Sequence, residues 1–170
     1  MKHKRTAKRA ALIAGILAAA AMLGSCGNDG VVEGEDGLLG YAQDYYSNES
    51  LVLSGTTYNK DRTLAWYTNG LSLSSSCRAM TFRNQKDGTY EFVSDERTKE
   101  YARDIWSCSW NSGVALLIEN EDCRTIRIIS GDLSTDISIS ETPQDMFLPF
   151  DIMDPATRVQ FFDKRGIRIT

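Results

Sequence analysis

Few side chains in this sequence have the chemistry that common catalytic sites require. The single histidine is His3. If the first 25 residues are removed, as their pattern indicates below, no imidazole remains for a Ser–His–Asp or Cys–His triad. The usual zinc sites also depend on histidine. Four lysines, which are Lys60, Lys86, Lys99 and Lys164, lie in predicted turns or on an exposed face, where burial does not activate an amine. Carboxylates are therefore the remaining candidates for catalytic groups.

Paired carboxylates occur at two places. Glu119, Glu121 and Asp122 cluster at a predicted hairpin turn, and Asp151 and Asp154 flank a methionine. A retaining glycosidase needs two carboxyl groups about 5 Å apart, but acidic runs at turns are also typical of solvated surface. No segment resembles a calcium-binding EF-hand loop. We predict no catalytic residue, no metal and no other cofactor, and keep a carboxylate-pair glycan hydrolase as an alternative function.

The cysteines are Cys26, Cys77, Cys108 and Cys123, and none is spaced as in a C-x2-C metal site. Trp106, Cys108 and Trp110 would share one face of a strand. That face is either a core strand around a disulfide, which we favour, or a stacking platform for a ligand.

Strand order bears on which cysteines pair. If 105–110, 114–119 and 124–130 are consecutive strands, Cys108 and Cys123 are separated by roughly 9–10 Å. Disulfides require Cα atoms closer than about 7 Å. Cys77 and Cys108 are therefore the predicted disulfide.

An aromatic-rich segment occupies the first third of the chain after residue 40. Its candidate binding aromatics are Tyr45, Tyr46, Trp66 and Tyr67. Exposed aromatics beside Asn and Ser are common in surfaces that bind protein or polysaccharide. We favour the other interpretation, a docking helix that buries its aromatic face.

The amino-terminal segment has the pattern of an export signal. A basic head is followed by an apolar run over residues 10–23, which is 14 residues long. A membrane-spanning helix needs about 20 apolar residues, so the run matches the apolar region of a cleavable signal peptide.

The sequence Leu23-Gly24-Ser25-Cys26 resembles the lipobox of bacterial lipoproteins. The resemblance covers residues 1–26 alone. It implies that signal peptidase II cleaves between Ser25 and Cys26, and that Cys26 carries lipid such as diacylglycerol and palmitate. Two acyl chains suffice for stable anchoring. Gly27, where Asp would favour retention at the inner membrane, implies the outer membrane if the cell has one.

The chain that remains after residue 25 is distinctly acidic. Five Lys and Arg and no acidic residue precede position 26, so fourteen Lys and Arg face all 23 acidic residues, a net charge of −9. Nucleic-acid binding requires clustered Lys and Arg facing phosphates, and anionic lipid attracts basic segments. We therefore predict that the domain binds no nucleic acid and does not lie on anionic lipid.

The domain organisation follows from composition. Residues 26–40 are predicted to be the lipidated cysteine and a flexible acidic tether, because 27–40 hold five glycines and four acids. Residues 41–170 are predicted to form a single globular β-rich domain, since short apolar segments alternate with turn formers. We expect an antiparallel β-sandwich or half-open barrel with one or two short helices.

Individual elements can also be predicted. A helix is indicated at 94–103 by its capping and helix-forming residues, and a weaker one at 39–46. Three hairpins are expected: 78–83 with 89–93, 114–119 with 124–130, and 158–163 with 167–169. The continuously apolar segment 114–118 predicts a central strand buried on both faces.

Together these patterns predict an envelope lipoprotein, lipid-anchored on the extracytoplasmic side of a membrane. Its β domain is expected to be non-catalytic and to bind a protein or cell-wall glycan partner. Besides the hydrolase, a small inhibitor of a basic enzyme such as lysozyme is an alternative, because surplus acid suits a basic partner electrostatically.

Overall fold

The computed structural model describes residues 30–69, 76–149 and 156–170. The helix in these ranges is α1 (Gly34–Tyr46). The strands are β1 (Val31–Glu33), β2 (Leu51–Asn59), β3 (Arg62–Asn69), β4 (Cys77–Asn84), β5 (Thr89–Glu96), β6 (Thr98–Ala102), β7 (Ile105–Trp110), β8 (Gly113–Ile118), β9 (Cys123–Ser130), β10 (Leu133–Ser138), β11 (Gln144–Leu148), β12 (Thr157–Asp163) and β13 (Arg168–Ile169). The predicted mainly β fold, a sandwich or half-barrel with a short helix, is confirmed.

The strands form three antiparallel sheets. Sheet A has the order β1-β5-β4-β3-β2, sheet B the order β11-β8-β7-β6, and sheet C the order β10-β9-β12-β13. Sheet A curls into a half-barrel. Within the described ranges, no helix has the length and apolar character that a membrane span requires.

Three apolar clusters join these sheets and the helix into layers. Leu38 and Ala42 of α1 pack on one face of sheet A, against residues such as Phe82. The other face of sheet A meets sheet B through a cluster that includes Trp66 and Leu117. The opposite face of sheet B packs against sheet C. The cluster between them includes Ile105, Leu116, Ile118, Ile126, Val159 and Phe161. The central strands of sheet B, β7 and β8, are therefore buried on both faces.

The position of sheet B explains the apolar segment 114–118. In β8, Val114, Leu116 and Ile118 face sheet C, whereas Ala115 and Leu117 face sheet A. β8 lies between β7 and β11. The predicted central, two-sided strand is confirmed.

The pairing of β8 and β9 was predicted wrongly. β8 pairs with β7 and β11, whereas β9 pairs with β10 and β12 in sheet C. The two strands are adjacent in sequence, yet they belong to different layers that pack face to face. The other two hairpins are confirmed, as β4 with β5 and β12 with β13.

The helix predicted at 94–103 is also wrong. This segment forms the end of β5 and the whole of β6, which pair with β4 and β7 respectively. Exposure alternates over residues 94–99, and Ala102 is buried against the cluster between sheets B and C. Strand pairing and burial thus outweigh the local preference for helix.

Residues 31–40 of the segment predicted as a flexible tether form a strand and the start of a helix. Residues 31–33 form β1, which pairs with β5, and α1 begins at Gly34. Leu38 is fully buried and accepts a hydrogen bond at its carbonyl from the Tyr67 hydroxyl, at 2.9 Å. The helix predicted at 39–46 is confirmed and is longer than expected. The prediction of a tether depended on the high glycine and acid content of this segment. It gave too little weight to the few apolar residues that pack against sheet A.

Candidate functional site

Two of the four predicted binding aromatics lie in the core. Trp66 and Tyr67 are both 0 % exposed. They are neighbours on β3, which lies between β2 and β4 and has α1 on one face and sheet B on the other. Consecutive strand residues point to opposite faces, so each ring is buried in a different layer. Neither ring can contact a partner.

The other two, Tyr45 and Tyr46, lie at the surface at the end of α1. The Tyr45 ring is 50 % exposed. It contacts Tyr46 edge-to-face at 5.1 Å between ring centres and Phe92 at 5.6 Å. Tyr41, one turn earlier in the helix, stacks on Tyr45 at 6.2 Å. We call these four rings the aromatic surface.

Charged groups border the aromatic surface. The Arg78 guanidinium lies 4.4 Å from the centre of the Tyr46 ring, a cation–π distance. The Tyr46 hydroxyl donates a hydrogen bond to the Asp95 carboxylate. Burial, followed by the contact with Asp95, raises the pKa of Tyr46. This ring is therefore fixed between a cation and an anion, while Tyr45 beside it remains open to solvent.

The strand with two tryptophans forms core, as favoured from the sequence. Trp106, Cys108 and Trp110 share one face of β7 and pack between sheets A and B. The Trp110 indole N–H donates to the Thr81 hydroxyl at 3.0 Å. The turn that follows contains two residues of positive φ, Asn111 and Ser112, as a two-residue hairpin turn requires.

The three described cysteines are free thiols, so the predicted Cys77–Cys108 disulfide is not formed in the structure. Cys77 and Cys108 nevertheless belong to the same buried cluster, whereas Cys123 packs between sheets B and C. The preference for Cys77 was based on a wrong strand order. Burial raises the pKa of Cys108 to about 12 and also raises that of Cys77. Burial thus disfavours the thiolate form of both side chains.

The carboxylates predicted to cluster have separate contacts. Glu119 accepts a hydrogen bond from the Thr68 hydroxyl at 3.2 Å, beside the interface of sheets A and B. Asp122 lies 3.6 Å from Arg103, and Glu121 is exposed. Asp151 and Asp154 lie outside the described residues. Within the described ranges, no three His, Cys, Asp or Glu side chains are grouped as metal ligands would be.

Asp145 is a carboxylate that sequence reasoning missed. It lies on β11 and accepts a hydrogen bond from the Thr57 hydroxyl at 2.7 Å, while Thr57 accepts one from the Trp66 indole at 2.9 Å. Burial raises the pKa of Asp145. The three side chains connect sheet A to sheet B, and we assign them a structural role.

Ser25 and Cys26, the predicted cleavage and lipidation residues, lie outside the described residues. No protein-family model, curated protein or solved structure matches the chain. The choice of the aromatic surface as the candidate site therefore depends on its geometry and not on any related protein.

Proposed function

We propose that the chain is an extracytoplasmic lipoprotein, anchored through Cys26, whose non-catalytic β domain binds a partner through the aromatic surface. The observation that carries the binding role is the half-exposed Tyr45 ring, supported on three sides by Tyr41, Tyr46 and Phe92. Aromatic rings that are already packed lose little conformational entropy when they bind a partner.

A protein partner fits this surface better than a glycan. Tyr and Arg dominate the residues that contribute most to protein interfaces, and Arg78 lies directly against Tyr46. A glycan stacks on an open ring face, but Tyr41 already stacks on one face of Tyr45, so at most one face of this ring is left for a sugar. The other two candidate functions, a glycan hydrolase and an inhibitor of a basic enzyme, have no comparable support in the geometry.

The binding role can be tested with one tyrosine variant and a matched control. Tyr45→Ala removes the exposed ring, and Tyr58→Ala removes a second tyrosine that is 55 % exposed. Wild-type protein and both variants would be used to retain partners from an envelope fraction and to sediment with isolated cell-wall glycan.

Proteins retained by the wild type and Tyr58→Ala but lost with Tyr45→Ala would support the proposal. Glycan sedimentation that depends on Tyr45, with no protein lost, would replace the protein partner by a glycan. Equal behaviour of all three proteins in both assays would refute a binding role for this surface.

The anchor is tested at Cys26. Cells that express the protein would be labelled with a palmitate analogue, and the mature amino terminus would be determined by mass spectrometry. We expect a lipidated Cys26 as the first residue and no label on Cys26→Ser. A different amino terminus, or protein released free into the medium, would refute the anchor.

We further propose that Cys77 and Cys108 form a disulfide after export, where an oxidising compartment supplies the oxidant. Their shared cluster between sheets A and B supports this pairing. Non-reducing peptide mapping of envelope protein should recover a peptide linking these two cysteines. Two free thiols at these positions, or a bridge to Cys123, would contradict the proposal.

A further inference from the structure

A cationic groove follows the turn between β12 and β13. Three adjoining cavities, of about 230, 510 and 200 Å³, share the turn residue Asp163 as a lining residue. They extend from the carboxyl-terminal strand to the outer face of sheet C. We call their combined lining the hairpin groove.

The groove concentrates positive charge on an acidic chain. Six of the fourteen Lys and Arg that follow residue 25 line it: Arg103, Arg124, Arg127, Lys164, Arg165 and Arg168. Its acidic lining residues are Asp122, Asp136 and Asp163. The lining therefore has a net charge of +3, whereas the chain after residue 25 is strongly negative.

The three carboxylates are already engaged within the fold, and Asp122 lies 3.6 Å from the Arg103 guanidinium. Asp163 accepts the backbone N–H groups of Arg165 and Ile167, both at 2.8 Å, and the Arg165 Nε at 3.1 Å. Asp136 forms a bidentate pair with Arg127, with both distances 2.7 Å. These contacts form the turn and join β9 to β10. They therefore fix the carboxylates in place and neutralise Arg127 and Arg165.

Three cations in the groove have no carboxylate partner among the described residues: Arg124, Lys164 and Arg168. Arg124 is oriented by neutral groups, because its Nη1 donates to the carbonyls of Glu121 at 2.8 Å and Cys123 at 2.6 Å. Its Nε and Nη2 have no acceptor in the described part of the chain. The edge of the guanidinium that binds an oxyanion through two hydrogen bonds thus remains unused.

We propose that the hairpin groove binds the phosphate groups of a linear phosphate-bearing polymer other than nucleic acid. Each internal phosphate of such a polymer carries one negative charge and two non-bridging oxygens, which a guanidinium binds in a bidentate manner. Charges repeated along a chain also add the free energy of counterion release. The polymer rather than a single phosphate is favoured because three cavities adjoin and each contains at least one of the unpaired cations. This site is separate from the aromatic surface and does not depend on the function proposed for it.

The test measures binding of linear polyphosphate to the purified protein, with polyglutamate and phosphatidylglycerol vesicles as comparison ligands. In the first variant Arg124, Lys164 and Arg168 are all replaced by Gln. Its control replaces three exposed lysines outside the groove, Lys60, Lys86 and Lys99, and so makes the same change in net charge. We expect the groove variant to lose at least about tenfold in affinity and the control to change less than about twofold.

Affinity falls as the salt concentration rises. Each lost contact should make the negative slope of log affinity against log salt shallower by about one. Because Arg124 also holds two carbonyls, a Lys164→Gln/Arg168→Gln variant serves as a second test that removes no contact of the described fold. It should bind polyphosphate several-fold more weakly than the wild type.

Several results would overturn the proposal: no polyphosphate binding, equal loss in the groove and control variants, or equally tight binding of polyglutamate. Binding to the vesicles without binding to polyphosphate would assign the groove to lipid head groups instead. Polyphosphate binding by the Lys164→Gln/Arg168→Gln variant that equals wild-type binding would also count against the proposal.

Discussion

The hydrogen-bond chain Trp66–Thr57–Asp145 predicts a large stability loss on replacement of one hydroxyl group. Thr57 is only 3 % exposed and Trp66 is 0 % exposed. Thr57→Val preserves the shape of the side chain but removes both the acceptor for the indole and the donor to the carboxylate. The change therefore isolates hydrogen bonding from packing.

The magnitude follows from the two groups left without partners. A buried indole N–H without an acceptor costs about 1–3 kcal/mol, and a hydrogen bond to a charged group contributes about 1.5–3 kcal/mol. The backbone N–H of Thr56 continues to bond Asp145, so the second cost is partly offset. We expect Thr57→Val to lower the free energy of unfolding by about 3 kcal/mol.

Urea unfolding, followed by tryptophan fluorescence and circular dichroism, measures this loss at constant m value. The control is Thr56→Val, because the adjacent hydroxyl donates only a 3.3 Å bond to the Tyr58 hydroxyl at the surface. It should change stability by less than about 0.5 kcal/mol. A Thr57→Val protein within about 0.5 kcal/mol of the wild type would show that the chain of three side chains does not support the contact between sheets A and B.

Three further predictions concern Asp145, Gly113 and Gly40. Burial raises the pKa of Asp145 above its ordinary 3.8, so the folded state holds this proton more tightly, and the wild type loses stability as the pH rises through the raised pKa. Asparagine at position 145 does not titrate, so the stability of Asp145→Asn relative to the wild type should increase from about pH 4 upward and then level off. Urea unfolding at a series of pH values measures the difference in unfolding free energy between the two proteins. A difference that stays constant or declines with pH would contradict the prediction. A Cβ added at Gly113 would lie 2.4 Å from the Leu148 carbonyl oxygen on the adjacent strand, so Gly113→Ala should destabilise by about 2–3 kcal/mol through forced movement of β11. Gly40 in α1 has open space, and Gly40→Ala should instead stabilise by about 0.5–1 kcal/mol; thermal unfolding that ranks the two variants the other way would contradict the packing described for β8.

Local sequence patterns predicted the elements whose structure depends on local interactions. Turn formers between apolar segments located the hairpins of β4 with β5 and β12 with β13. The continuously apolar segment 114–118 predicted a strand covered on both faces. In each case the residue types and their spacing within one short segment are sufficient to predict the element.

The same reasoning failed where a distant partner decides the structure. The segment 94–103 has good helix formers, but it lies between β4 and β7, whose edges pair with it as strands. Residues 31–40 have many glycines and acids, yet β5 pairs with β1, and sheet A buries Leu38. In both cases the strands that pair with the segment lie outside the short stretch of sequence from which the prediction was made.

The candidate sites show the same division. The sequence alone determined that the chain after residue 25 has no imidazole, is acidic and contains an aromatic-rich segment, because composition does not depend on folding. Only the tertiary structure separated the exposed Tyr45 from the buried Trp66 and Tyr67. Only it brought cations from β9, from β13 and from the turn between β12 and β13 into one groove. Exposure and charge clustering depend on which layer covers each face, and this follows from contacts between residues far apart in the chain.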